Sequence, residues 1–333
     1  MNKVHTMAKS TLLQVASCAV LSSLLLGFPT AASAAEQVAP AKFCSAFVQI
    51  EGTLASSVPL VFLPPDVAKE DPAVFDVRQG DRVRLRIINA GSDTAYRFAV
   101  SGHALTVTHS DGMPVEPVTV DTIRIGMAER YDVLIDAASP GLFQIGVLPE
   151  GKNGFGRALL RYAGVNFAAA PPVDEKPVEL DRRLLDYADL RGTFPPKVRA
   201  GSNVTRTFNM TLRETDIDVE GLNRDDPIVV STGDVVRFNI RNESANWHPI
   251  HLHGDHFHFA NAGRPLKDTA IIRSKDGEMS WEWRADNPGK WMMHCHNLYH
   301  HKDGMMRNII YEDFLGSYLG LPEGMSLDDL CRS

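Results

Sequence analysis

The chain has 333 residues, 44% of them hydrophobic and 23% charged, with a formal net charge of −7. That length suits about two domains of roughly 100–150 residues, each able to bury a core. The acidic balance, with no long basic run, argues against nucleic acid as a partner.

In chain order, the first element is an export signal. Lys3 and Lys9 precede an apolar stretch from Cys18 to Phe28, and the small residues 31–35 form a cleavage site. The apolar run is too short to span a bilayer, so no membrane attachment is expected once residues 1–35 are removed. Val15-Ala16-Ser17-Cys18 resembles a lipoprotein cleavage box, but its apolar stretch follows the cysteine instead of preceding it. The expected location is secreted or periplasmic. An oxidising compartment would permit a Cys44–Cys331 disulfide, with two unpaired cysteines as the alternative.

Turn residues then alternate with short runs of Val, Ile, Phe and Thr, which is an all-β pattern. An internal repeat is visible. The stretch Gly80 to Asn89 is echoed by Gly233 to Asn242, each a turn followed by an alternating strand. Tyr96 to Val107 lines up with His248 to Phe259, and Ser139-Pro140-Gly141 with Asn287-Pro288-Gly289. The expected layout is a signal at 1–35, a first β-domain at 36–163, a linker at 164–200 and a second β-domain at 201–333. Pro171-Pro172 and Pro195-Pro196 mark the linker, with a short helix expected around Leu180 to Leu190. Little strand-like sequence precedes Asp226, so the opening strands of the second domain look short. The residues from Pro322 to Ser333 suggest a short capped helix.

Most of the chain's 12 histidines fall in two stretches of the second domain. One runs from His248 through His251 and His253. The other holds His294-Cys295-His296, His300 and His301, followed by Met305 and Met306. Two imidazoles, a thiolate and a weak axial thioether make a blue-copper site. Cys295, His300 five residues on and Met305 ten residues on can meet at one metal through a strand, a turn and a return. His248, from an adjacent strand, completes the set; Met306 is the alternative axial ligand. Side chains alternate across a strand, so His294 and His296 face away from Cys295, as His251 and His253 face away from Leu252. The second face thus offers imidazoles to a different metal site. The backbone from Cys295 to either neighbour is a short electron route, which makes Cys295, His294 and His296 the candidate catalytic residues.

These motifs resemble the C-terminal copper domain of the multicopper oxidases, the laccase-like enzymes, and the first repeat resembles the family's copper-free second domain. The resemblance covers nearly all of residues 75–312. It implies two cupredoxin-like Greek-key β-sandwich domains, with copper as cofactor. It makes His248, Cys295, His300 and Met305 the type 1 ligands, gives His251 to type 2 copper, and gives His253, His294 and His296 to the type 3 pair. It implies one-electron oxidation of a phenolic, amine or metal-ion donor, coupled to oxygen reduction. Lys267-Asp268-Thr269 and Asp286-Asn287-Pro288-Gly289 fit the family pattern without ligating. The family draws half of its trinuclear ligands from an N-terminal copper domain, which is expected to be missing here, since residues 36–74 hold no histidine and are too few for a sandwich of ~100 residues. Nor does the first repeat supply them: Tyr96, Ala99 and Ser101 stand where the second copy has His248, His251 and His253, and Gly146, Val147 and Leu148 stand for His294, Cys295 and His296. Oxidase activity therefore requires a second chain to complete the cluster; the alternative is an electron-transfer or copper-binding protein. A copper nitrite reductase fits less well, because Cys295 is flanked by histidine on both sides.

His103, His109, His256, His258 and His301 are read as strand, surface or supporting residues. Tyr299 stands where some laccases place an acidic residue. Asn203-Val204-Thr205 and Asn242-Glu243-Ser244 match the glycosylation pattern.

Overall fold

The computed structural model describes residues 46–51, 60–63, 72–164, 166, 169–199, 201–260, 263–275 and 277–320. The export signal, the Cys44–Cys331 pair and the expected C-terminal helix lie outside the described residues. No helix among the described residues is long and apolar enough to cross a membrane.

The first repeat contributes β1 (Ala46–Glu51), β2 (Leu60–Leu63), β3 (Val74–Val77), β4 (Arg82–Asn89), β5 (Tyr96–Val100) and β6 (Leu105–Ser110). It continues with β7 (Met113–Val120), β8 (Ile123–Ile125), β9 (Arg130–Asp136), β10 (Leu142–Pro149) and β11 (Gly156–Tyr162). The second contributes β12 (Arg206–Leu212), β13 (Ile217–Val219), β14 (Ile228–Val230), β15 (Val235–Asn242), β16 (His248–Leu252) and β17 (Phe257–Phe259). It ends with β18 (Leu266–Lys267), β19 (Thr269–Ile272), β20 (Gly277–Arg284), β21 (Lys290–Cys295), helix α1 (Leu298–Lys302), β22 (Met306–Tyr311) and helix α2 (Glu312–Tyr318).

The sheet orders are β2-β1-β4-β9-β6-β7 with β3-β11-β10-β5-β8, and β13-β12-β15-β20-β17-β18 with β14-β22-β21-β16-β19. Element for element, the second pair of sheets repeats the first. The opening strands doubted from sequence are present as β12, β13 and β14. One pairing differs: β1 runs antiparallel to β4, whereas β12 runs parallel to β15. Alternation explains the layering. In β4 (RVRLRIIN) Val83, Leu85 and Ile87 point inward and the arginines outward, which places one face of each sheet on a core. Each repeat has its own core. In the second, Phe257 stacks on Trp281 with centroids 3.8 Å apart, and Cys295 and Met305 belong to that same apolar cluster.

The residues between the repeats form a strap. No α-helix lies at 180–190; two single 3-10 turns, Val178–Asp181 and Tyr187–Asp189, stand there instead. Leu180, Leu185 and Leu190 are buried, so packing on the sandwich replaces helical hydrogen bonding. Tyr187 donates its hydroxyl to Glu129 in the first repeat (2.6 Å) and accepts from the Ile271 N–H in the second (2.9 Å). Below it, Lys267 lies 3.0 Å from Asp111 and 3.2 Å from Glu129, with all three side chains fully buried. Arg130 grips Asp268 through two hydrogen bonds of 2.7 and 2.8 Å. These contacts join the two repeats.

Candidate metal centre

Two neighbouring strands, β16 and β21, carry most of the site. Their register sets Ile250 opposite Cys295 and His251 opposite His294. Cys295 therefore faces the core while His294 faces the other way. After His296 the chain turns: the Asn297 side chain accepts from the backbone N–H groups of Tyr299 (3.0 Å) and His300 (3.4 Å) and starts α1. Helix α1 presents His300. Gly304, at φ 106°, then permits the reversal. Cys295 N–H donates to the Met305 carbonyl (3.0 Å) and Met305 N–H to the His300 carbonyl (2.9 Å), which closes the loop on itself.

The result is a compact triangle. Cys295 Sγ lies 3.7 Å from His248 Nδ1 and 3.8 Å from His300 Nδ1, and the two nitrogens are 3.1 Å apart. A metal held by two imidazole nitrogens at about 2.0 Å and a sulfur at about 2.3 Å, spread trigonally, needs separations of about 3.5–3.7 Å. The two sulfur–nitrogen distances match that demand and the nitrogen–nitrogen distance of 3.1 Å is shorter, corresponding to a narrower N–metal–N angle; the soft sulfur with two nitrogens suits copper. Met305 is fully buried in the Cys295 core, whereas Met306 is half-buried and pairs across from His294. Burial, helped by His300, pushes the His248 pKa down to about 3, and burial also lowers that of His300. Both rings are neutral at ordinary pH and free to ligate. Burial pushes the Cys295 thiol up to about 12, so a metal must displace its proton.

On the other side of β21 the remaining histidines gather. Ring centroids separate by 4.7 Å for His251–His253, 5.6 Å for His251–His294, 5.7 Å for His251–His296 and 4.9 Å for His253–His294. His251 Nδ1 donates to the Asp268 carbonyl (2.9 Å) and His294 Nδ1 to the Cys295 carbonyl (2.8 Å). Each bond puts the lone pair of that ring on Nε2, and at His294 this lone pair accepts from His253 Nε2–H at 2.9 Å. Burial and crowding by the other rings push His294 to about 3 and His296 to about 4, and lower His253. His253, His294 and His296 are thus held neutral, and their clustering with His251 is an arrangement that can bind a metal.

The first repeat keeps the backbone and drops the chemistry. Ala99 pairs with Gly146 as His251 pairs with His294. Phe155 and Leu180 pack with Ala99 there, and a Cβ on Gly146 would sit 2.9 Å from both Phe155 and Pro177. His103 bonds the Ser101 carbonyl and Tyr162 hydroxyl, and His109 lies 3.9 Å from Asp132.

Some neighbours were not legible from spacing. His301, read as a surface or supporting residue, stacks edge-on against His294 at 4.6 Å, and its buried Nδ1 has no hydrogen-bond partner among the described residues. Asp268 holds His251 through its backbone oxygen, and its own carboxylate lies 3.8 Å from His256. His258 is buried on β17 and bonds the Arg264 carbonyl. A cleft of about 510 Å³ opens beside His300, with Trp247, Asp93 and Lys152 in its wall. Arg124 lies over Trp247 at 5.1 Å.

Two multicopper oxidase family models match the chain, over residues 32–165 and 193–314. The multicopper oxidase MmcO of Mycobacterium tuberculosis is 40% identical over 246 residues, covering 71% of this chain and 48% of the relative. Laccase-1 of Melanocarpus albomyces is 26% identical, covering 80% and 52%, and a copper resistance protein A homologue of Pseudomonas syringae pv. tomato is 25% identical, covering 71% and 55%. The chain thus spans about half the length of the curated relatives it matches. Among solved structures, the fold is similar to that of Fet3p, described as a multicopper oxidase that functions in iron import (TM-score 0.62, 17% identity, 78% of this chain and 60% of that one). It is also similar to that of a Botrytis aclada laccase (TM-score 0.58, 23% identity, 72% and 53%).

Proposed function

The chain belongs to the multicopper oxidase family, and from that premise we propose that it is a copper-dependent oxidoreductase that takes single electrons from a phenolic, aromatic amine or metal-ion donor. His248, Cys295, His300 and Met305 hold the type 1 copper. His251 serves a type 2 copper, and His253, His294 and His296 serve a type 3 pair. Bound copper supplies the one-electron couple.

The chain's own residues do the rest. The cleft beside His300 brings a donor to an imidazole edge. The thiolate of Cys295 is joined through its own backbone to His294 on one side and His296 on the other, which gives a covalent electron route between the two sites. The second site would take oxygen only when further imidazoles complete it. Residues 1–35 export the protein, so its place is the periplasm or the exterior.

The observation that carries the reading is the back-to-back arrangement of the triangle of 3.1–3.8 Å and the imidazole group across one strand. The test is copper content and oxygen uptake of the purified full chain with a phenolic donor. About one copper per chain with no uptake alone, and uptake restored by a histidine-bearing partner, supports it. A chain that binds no copper refutes it. A second reading, a blue-copper electron carrier, is favoured by the apolar packing around Ala99 and Gly146. One copper and no uptake under any pairing decides for it.

A further inference from the structure

We propose that the Ser244 hydroxyl is a positioning residue for His248, fixing its tautomer and ring plane and thereby tuning copper held at that ring; this rests on the type 1 reading of His248. Ser244 is 4% exposed, and its Oγ lies 2.7 Å from His248 Nε2. The ring's other nitrogen, Nδ1, is the one in the triangle with Cys295 and His300.

The direction of the hydrogen bond follows from its surroundings. The Asn242 amide nitrogen donates to two carbonyls, Asn246 O (2.8 Å) and Ile272 O (3.1 Å). Its Oδ1 is therefore the acceptor that faces Ser244 Oγ at 2.8 Å. The hydroxyl has one proton, and its nearby oxygens, Asn242 Oδ1 and the Asn246 carbonyl at 3.1 Å, can only accept it. Toward His248 the hydroxyl must then accept, so Nε2 carries the proton and Nδ1 the lone pair. The Asn246 N–H fills the remaining lone pair of Oγ (3.2 Å).

The internal repeat supplies the control. Asn89 builds the same turn, donating to Thr94 O (2.8 Å) and Ile125 O (3.0 Å) and accepting from Gly91 N–H (2.9 Å), as Asn242 accepts from Ser244 N–H (2.9 Å). The turn therefore stands without a hydroxyl. In that copy glycine replaces serine and Tyr96 replaces His248; a Cβ on Gly91 would lie 3.6 Å from the Tyr96 ring. The serine occurs in the copy whose next strand begins with an imidazole. The glycosylation pattern at Asn242 thereby gains a different explanation, because its asparagine is fully buried in this network.

A partner on the second nitrogen orients a ligating imidazole and raises its basicity, and losing it typically lowers metal affinity about 10–100-fold. The test uses the full chain as wild type, S244A, S244G and S244T. In the copper-free protein, ¹⁵N imidazole shifts should show His248 protonated at Nε2, with a tautomer mixture in S244A and S244G. With copper, both variants should bind Cu(II) about 10–100-fold more weakly. The reduction potential should rise by about 59 mV for each tenfold loss relative to Cu(I), and S244T should stay near wild type. A wild-type Nδ1–H tautomer, or an S244A protein with wild-type affinity, potential and copper spectrum, overturns the proposal. Should wild type bind no copper yet hold the Nε2–H tautomer that S244A loses, the copper reading fails and the positioning role stands.

Discussion

Replacing Lys267 by methionine should loosen the join between the repeats. Lys267 Nζ sits 3.0 Å from Asp111 and 3.2 Å from Glu129, and donates to Ser110 Oγ at 2.8 Å. Burial raises the Glu129 pKa and Asp111 lies nearer the cation, so the Lys267–Asp111 contact is the one to weigh. The Coulomb term at 3.0 Å is about 5 kcal/mol at an effective dielectric of about 20. Desolvation of both ions offsets much of it, so the pair itself contributes little. Removing the cation alone is another matter: the buried Asp111 carboxylate loses its nearer counter-ion and keeps only Arg130, 3.7 Å away, so the cost falls toward the lower end of about 3–5 kcal/mol. For a chain of this size about 3–5 kcal/mol lowers the melting temperature by about 4–7 °C. The assay is thermal unfolding of the copper-free protein at neutral pH, which removes metal linkage from the comparison. The double variant K267M/D111N should recover at least half of the loss. Asparagine suits the position, because Asp111 sits at φ 49°, which Asn tolerates. A cost below about 1 kcal/mol for K267M, or a double variant no better than the sum of the singles, would refute the reasoning.

The raised pKa of Glu129 means its protonated form is favoured in the fold, so its stabilising effect is full below the ordinary carboxylate range and declines as pH rises toward the folded value. E129Q should flatten that decline in a series of unfolding measurements between pH 5 and 8. Because the Cys295 thiol is pushed up to about 12 while His248 is already neutral above about 3, copper binding should release one proton. Apparent affinity should then rise about tenfold per pH unit, as read by chelator competition; a flat profile contradicts it. Asn297→Ala removes the cap of α1 and a 2.6 Å bond to Asp93. It should cost about 1 kcal/mol of stability and weaken copper binding through His300, both measurable on one preparation.

The gathering of Cys295 with these histidines is legible in the sequence because they lie in two short stretches with strand parity. Cys295 and His294 are adjacent, so opposite faces follow from period two alone, and the repeat sets Ala99 and Gly146 at the positions equivalent to His251 and His294. The strap was misread as helical because Leu180, Leu185 and Leu190 are apolar at intervals, and nothing local tells that they pack onto a sandwich. Phe208 to Leu222 looked too short for opening strands because β12 and β13 are brief and partly polar, and pairing with β15 supplies what propensity does not. The contacts of Arg130 with Asp268 and of Lys267 with Asp111 span more than 130 residues. Neither leaves a local signature. His301 was set aside because its neighbour His300 already explained the spacing.

The two repeats together separate scaffold from chemistry. The same register, β5 on β10 and β16 on β21, carries an alanine–glycine pair in one copy and a histidine–histidine pair in the other. In the first copy Phe155 and Leu180 occupy the space beside that pair. In the second, the rings of His251, His253 and His296 stay half-buried, and the Asp268 and Cys295 carbonyls accept from His251 Nδ1 and His294 Nδ1. The shared backbone thus does not require the histidines, since the first copy reaches the same register with alanine and glycine in their place. What the second copy adds is orientation: carbonyls behind the imidazoles on one side of β21, and a serine hydroxyl behind His248 on the other. The triangle around Cys295 is closed by the chain's own core, whereas the imidazole group on the other side of β21 holds three half-buried rings; the two clusters therefore differ in how much of their surroundings the second copy itself supplies.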